Sequence, residues 1–300
     1  MTHRLLALAL AFGTALAHAA PISVRDDAGA TLTLARPAQR IVTLAPSLAE
    51  MLFEAGAGDR LVGAVAYTDF PAAARQAPRV GSNQKLDLER IAALRPDLVL
   101  VWFHGNAQRE VERLRALRIP MFLVEPRDIP DVADAIERIG ALAGTLPVAR
   151  GAAERFRARH AALRQRYGER PTVRVFYQVS QRPLLTINDS QIISDVIRQC
   201  GGSNVFGQEP MLVPHLSTES VVAANPDVIL TARMGGGGNA IERGMDDPTL
   251  ADWLQFGSLK AVRNRQLWRI PGDVISRHGP RILDAMQFVC DALDAARSGR

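Results

Sequence analysis

The sequence predicts an α/β protein of two lobes, each with a parallel central sheet flanked by helices, joined by one long rigid inter-lobe helix. Three observations carry that prediction. Short apolar strands alternate with helices of about 8–14 residues, pause, and then alternate again. The phrase LERIAALRPDLVLV, Leu88 to Val101, returns 130 residues later as TESVVAANPDVILT, Thr218 to Thr231. Between the two halves runs an amphipathic stretch with a proline at its start and a glycine at its end.

In chain order, residues 1–19 read as a signal peptide. Arg4 supplies the charge, Leu5 to Leu16 the apolar run, and Ala17-His18-Ala19 the cleavage signal, so the mature chain begins at Ala20. The run is too short to span a hydrocarbon core of about 30 Å, which argues against a membrane anchor. No cysteine follows the cleavage point, so no lipid anchor is expected. Loss of Arg4 leaves 35 basic residues against 31 acidic, a net charge of +4. That excess is spread along helices with acids nearby and is not interleaved with aromatics, which excludes nucleic acid as a partner. Cys200 and Cys290 pass into an oxidising compartment, where an isolated pair is most simply a disulfide. Metal ligation is the alternative, but neither has a histidine or a further cysteine at ligand spacing.

The N-terminal lobe is placed at 20–146. After a short β-like arm come a strand (Ile41 to Leu44), a turn at Pro46-Ser47, a helix (Leu48 to Ala55) and a strand (Leu61 to Ala66). Ser47 is the expected N-cap and Gly56 the expected C-terminal stop. The first copy of the phrase then gives a helix ended by Pro96 and the strand DLVLVW, followed by the helix NAQREVERLRALR and the strand MFLVE. Residues 147–168 form the inter-lobe helix. Ala149, Ala153, Phe156, His160, Leu163 and Tyr167 fall on one stripe, with Pro147 to start it and Gly168 to end it. About 21 helical residues span roughly 30 Å, enough to hold the lobes at a nearly fixed distance. A plain lobe-covering helix is the other reading of the same pattern.

The C-terminal lobe, 169–300, repeats the layout. The strand VRVFYQV, the helix SQIISDVIRQC, the second phrase, a helix near Leu250 to Phe256, the strand QLWRIP and a helix from Arg281 follow in turn. The phrase recurs because the architectural unit recurs. Each copy carries a glutamate at the same place, Glu89 and Glu219, with Asp87 and Ser217 as N-caps, and an acid in a first turn suits the helix dipole.

Catalytic constellations are missing. There is no G-x-S-x-G, H-E-x-x-H or phosphate-binding loop. The run Gly235-x-Gly237-x-x-Ala240 matches a dinucleotide fingerprint only because four glycines match many spacings; a flexible loop is expected. His104, His160, His215 and His278 never fall three or four apart, so no metal site is expected. An exported two-lobed α/β protein without a catalytic set points to capture of a ligand, with no enzyme activity. Ligands of parallel sheets sit beyond the carboxyl ends of strands. Those ends carry Tyr67, Asp69 and Phe70, then Trp102, Phe103 and His104, then the segment QVSQRPLLT, then Asp273, Arg277, His278 and Arg281. Such a set suits a large ligand with apolar faces and polar fringes; core packing is the plainer reading of Tyr67 and Trp102.

With those residues in view, the chain resembles the periplasmic cobalamin-binding family of bacterial ABC importers, within the helical-backbone receptors for siderophores, haem and corrinoids. The resemblance spans about Arg40 to Ala295 and rests on RIVTLAPSLAEMLFEAG, YTDFP, LDLERIAALRPDLVLVW, GGSNVF, SRHGPRI and QFVCDAL. It implies a periplasmic protein, monomeric when free, that binds cobalamin as cargo, uses no catalytic cofactor and docks on a membrane permease. By that resemblance Tyr67, Trp102, Asp273, Val274, Ile275, Ser276 and Arg277 are the ligand contacts. Glu89 and Glu219 pair with permease arginines, and Cys200 with Cys290 forms the family's disulfide. The chain departs from the family at Asn83, Leu185 and Val213, where further ring-packing aromatics are common. Haem or a ferric siderophore is the other ligand class: Tyr67 or His104 would ligate haem iron, and Arg277 and Arg281 would pair with carboxylates.

Overall fold

The computed structural model describes residues 20–168, 170–233 and 240–299. The expected leader at 1–19 and the glycine run at 235–238 lie outside the described residues. A ribbon of β1 (Ile22–Arg25) and β2 (Thr31–Leu34) opens the chain. The first lobe then lays down β3 (Ile41–Thr43), α1 (Pro46–Glu54), β4 (Leu61–Ala64), α2 (Leu88–Ala93), β5 (Leu98–Trp102), α3 (Gln108–Arg115) and β6 (Met121–Val124). Its four strands are parallel, in the order β4-β3-β5-β6. Leu98 to Val101 are buried without alternation, as a strand covered on both faces requires. Helix α1 starts two residues earlier than expected. Pro46 enters its first turn behind Ala45, so Ser47 is buried inside the helix and does not cap it.

Two helices cross to the second lobe. The first, α4 (Ile129–Ala143), is absent from the sequence reading above, although its signals are local. Asp128 and Asp131 form a reciprocal capping box, Pro130 lies in the first turn, and Gly144 closes it with φ 71°. The second, α5 (Leu146–Tyr167), buries the anticipated stripe together with Ala152. It packs along α4, where Arg157 pairs with Asp134 and Glu137 at 2.6 Å each. It also reaches the second lobe, where Arg159 pairs with Asp284 at 2.6 Å and the Tyr167 hydroxyl donates to Asp291 at 3.1 Å. Connector and covering helix are therefore the same element.

The second lobe contains β7 (Val173–Gln178), the hairpin β8 (Ser180–Gln181) and β9 (Leu184–Leu185), α6 (Ile192–Gln199), β10 (Gly202–Asn204) and α7 (Thr218–Ala224). There follow β11 (Val228–Arg233), β12 (Glu242–Arg243), α8 (Lys260–Arg263), β13 (Leu267–Pro271), α9 (Gly272–Ile275) and α10 (Ile282–Arg297). The helix expected near Leu250 is a 3₁₀ turn at Ala251–Gln255. The sheet order is β10-β7-β11-β13-β12, with only β12 antiparallel. In both lobes the first strand lies second in the sheet, its successor takes the edge, and the third and fourth follow on the other side. The repeated phrase is the third-strand unit of each lobe, α2–β5 in one and α7–β11 in the other. One continuous core, from Leu34 to Leu293, joins α1, α4, α5, α6 and α10 across both lobes, while a smaller cluster fills the far face of each sheet. Cys200 and Cys290 form a disulfide between the end of α6 and α10. Closing 90 residues contributes about 4–5 kcal/mol in the chain-entropy view.

Candidate functional site

The lobes meet through the carboxyl ends of their strands. Beyond β4, Tyr67 adopts a left-handed conformation (φ 63°) that costs a non-glycine residue about 1 kcal/mol or more, and its side chain is 82% exposed. At the end of β5, Trp102 is half-buried. Asn106 fixes its loop by accepting the Trp102 N–H at 2.8 Å and donating to the Leu44 carbonyl at 2.8 Å. Gly105 leaves room for the indole, since a Cβ there would overlap the ring. On the other face the imidazole of His278 meets Trp102 edge-on, with centroids 5.5 Å apart.

The segment after β13 crosses into the first lobe. Arg277 is 7% exposed and donates to Asp69 at 2.5 Å, to Asp273 at 3.0 Å, to the Tyr67 carbonyl at 3.2 Å and to Glu50 at 3.4 Å. Arg281 grips Glu50 with two bonds at 2.7 and 3.0 Å and stacks its guanidinium on Phe70, 4.3 Å from the ring centre. Burial pushes the Asp69 carboxyl upward, but the bond and charge of Arg277, with Arg281 behind, outweigh it and hold the group below its usual range. Burial likewise works against the Arg277 charge, and Asp69, Glu50 and Asp273 overcome it.

Of the residues expected to touch a ligand, the structure brings Tyr67, Trp102, Asp273, Ser276 and Arg277 to this junction. Ser276 bonds the buried Tyr177 phenol. Val274 is buried beside a flanking cavity of about 480 Å³ that Phe70, Arg281 and Phe288 also line. Ile275 is fully buried. The departures have structural counterparts. Asn83 ties its loop to the next one through the Gly105 carbonyl at 3.2 Å. Leu185 and Val213 share one flap, because residues 184–188 run beside 211–215 through bonds such as Asn188 N–H to Leu212. Val179, Met211 and Val213 leave that lobe an exposed aliphatic surface.

A second crossing lies on the far side. Asp195 of α6, 1% exposed, accepts the first free N–H of α4 at Ile129, 2.9 Å away, and pairs with Arg198 at 2.5 Å. Glu50 and Asp195 occupy the helices that follow the first strand of each lobe, and each sends a buried carboxylate across the junction. The sequence reading missed both. The available signal was an acid on the apolar face of a short helix, as in SLAEM and IISDV. Between these crossings lies a polar crevice of about 220 Å³ lined by His104, Glu125, Asn188, Gln191 and His278. Burial pulls the His278 imidazole down to about 4. Among the described residues no three His, Cys, Asp or Glu side chains converge as a metal site.

Glu89 and Glu219 are exposed in the first turns of α2 and α7, behind the expected caps Asp87 and Ser217. The Glu219 carboxyl is held below its usual range by its own backbone N–H and the Ser217 hydroxyl.

Comparison with known proteins gives a consistent picture. The sequence profile of the family described as "Periplasmic binding protein" matches residues 41–274. The vitamin B12-binding protein of Vibrio cholerae serotype O1 (strain O395) is 35% identical over 262 residues, 87% of this chain and 91% of that protein. The vitamin B12-binding protein of Vibrio parahaemolyticus serotype O3:K6 is 34% identical over 271 residues, 90% and 95% of the two chains. The crystal structure of the periplasmic vitamin B12 binding protein of Vibrio cholerae superposes with a TM-score of 0.78 at 34% identity, covering 87% of this chain and 98% of that one. A periplasmic haem-binding protein from Roseiflexus sp. RS-1, at 22% identity and a TM-score of 0.71 over 86% and 99% of the chains, shares the fold.

Proposed function

We propose that this chain, which belongs to the periplasmic binding protein family, captures cobalamin or a related corrinoid between its lobes and delivers it to an ABC importer. Membership makes it a periplasmic solute-binding protein that makes and breaks no bond. The observation that carries the finer reading is the internal neutralisation of the cations at the junction. A haem propionate or a siderophore carboxylate needs free arginine donors. Here Glu50, Asp69 and Asp273 occupy Arg277 and Arg281. What stays available is the Tyr67 ring, the Trp102 edge, the half-exposed Asp69 and the aliphatic surface of Val179, Met211 and Val213. That surface suits a large macrocycle with apolar faces and neutral amide arms. The vitamin B12-binding relatives, a third identical over most of their length, support the same ligand.

In this reading 20–146 and 169–300 are the two jaws and 147–168 is the spacer. Tyr67, Trp102 and the segment Asp273–Arg277 border the ligand. Glu89 and Glu219, equivalent in the two lobes, meet arginines of the permease. Asn83, Leu185 and Val213 each forgo about 1 kcal/mol of ring packing, so binding is expected to be weaker than with aromatics there. A second reading, haem capture, rests on Tyr67 and on His104, which is 45% exposed; both are accessible as iron ligands.

The test is a titration of the mature protein with cyanocobalamin and, separately, with hemin, followed by calorimetry and visible absorption. One-to-one cobalamin binding that weakens in Trp102→Ala is expected. A shifted Soret band without cobalamin heat transfers the assignment to haem, and silence from both ligands transfers it to ferric siderophores.

A further inference from the structure

The two helices that carry the exposed acids are held by the same clamp. Helices α2 and α7 have six and seven residues, too few to persist alone. At the front, Asp87 accepts the Arg90 N–H at 2.9 Å and Ser217 accepts the Ser220 N–H at 3.1 Å. At the back, each helix leaves through a left-handed residue, Arg95 (φ 47°) or Asn225 (φ 45°), into Pro-Asp. There an arginine at the start of the first strand of the lobe reaches over, Arg40 just before β3 and Arg174 as the second residue of β7. Arg40 donates through Nε and Nη2 to the Leu94 carbonyl at 3.1 and 2.7 Å, and Arg174 through Nη2 to the Ala224 carbonyl at 2.7 Å. The turn aspartates reciprocate: Asp97 accepts the Arg40 N–H at 2.8 Å and Asp227 the Arg174 N–H at 3.0 Å. The Asp97 and Asp227 N–H groups then donate to the Arg40 and Arg174 carbonyls at 2.9 and 2.8 Å.

Leu94 and Ala224 stand at matching places in the phrase, and so do the two aspartates. Arg40 and Arg174 are exposed, where burial requires no long cation. We propose that Arg40 and Arg174 are positioning residues for docking, each setting the direction of the helix that presents Glu89 or Glu219. The inference rests on the docking role given above to those two acids. A two-point contact is sensitive to such a device, because the second contact forms at an effective concentration that collapses when the spacing is wrong.

The test measures binding of the full mature protein to its importer in nanodiscs, with a thermal melt of each variant alongside. Arg40→Ala and Arg174→Ala are each expected to weaken docking about fivefold, the worth of a lost hydrogen bond, while remaining folded. Arg40→Lys and Arg174→Lys are expected to restore most of it, which a generic loss of stability would not do. If an alanine variant fails to fold, Arg40→Gln or Arg174→Gln, which keeps an amide NH2 as donor, decides in its place. Normal docking of the arginine variants beside failed docking of Glu89→Ala and Glu219→Ala overturns the inference and leaves the acids' role intact. Normal docking of all four overturns both.

Discussion

Tyr67 is held in a strained backbone conformation and yet leaves its ring in solvent, so its side chain contributes little to the fold. Tyr67→Ala is therefore expected to change stability by less than about 0.5 kcal/mol while weakening corrinoid binding about tenfold through lost ring contact. Calorimetry against a thermal melt separates the two effects. His278 has the opposite character. It is buried, bonds Gln191 at 2.9 Å and touches Trp102, and burial holds it neutral down to about 4, against 6.5 in the unfolded chain. A depressed folded value means that its stabilisation is complete above pH 6.5 and is lost as pH falls towards 4. Urea unfolding between pH 7 and 4 should show a decline of which about 3 kcal/mol belongs to His278 and is removed in His278→Gln, with His160, also held down by burial, contributing in the same direction.

At the scale of elements, α4 and α5 form the layer on which both lobes rest, and their close approach depends on Gly140. A Cβ at that position would collide with the Ala149 methyl. Gly140→Ala gains helix propensity, yet overpacking should dominate and cost about 1–3 kcal/mol, read as a lower midpoint in urea. The local signals for these helices are complete in the sequence: the capping box at Asp128, the glycine at 144, the apolar stripe of α5. The short helices α2 and α7 are different. Their caps are legible, but their hold on the sheet depends on Arg40 and Arg174, 54 and 50 residues away from the carbonyls they meet.

At the scale of the whole molecule, two buried carboxylates cross the junction in opposite directions, Glu50 towards Arg277 and Arg281 and Asp195 towards the start of α4. Removing one partner strands buried charge. Glu50→Ala should therefore cost about 3–5 kcal/mol. Asp195→Ala leaves the Ile129 N–H without its acceptor, while Arg198 is exposed, and should cost about 1–3 kcal/mol; both are measurable by denaturant unfolding. If the lobes were independent, either change would unfold one lobe and spare the other. The continuous core through α5 predicts a single transition.

Periodicity, caps and the recurring phrase determined the two lobes, the parallel sheets and the long helix, because those signals act within a few residues of chain. Tyr67 and Trp102 were legible as strand-end residues, and the fold places both at the junction between the lobes. The state of the arginines was not. Arg277 and Arg281 read as cations free to bind an anion until the fold set Glu50 beside them from 227 and 231 residues away. No local pattern carries such a pairing; it exists only once two separately wound lobes press their strand ends together. That contact pairs both cations of the cleft floor with carboxylates, which is the observation the proposed corrinoid reading rests on.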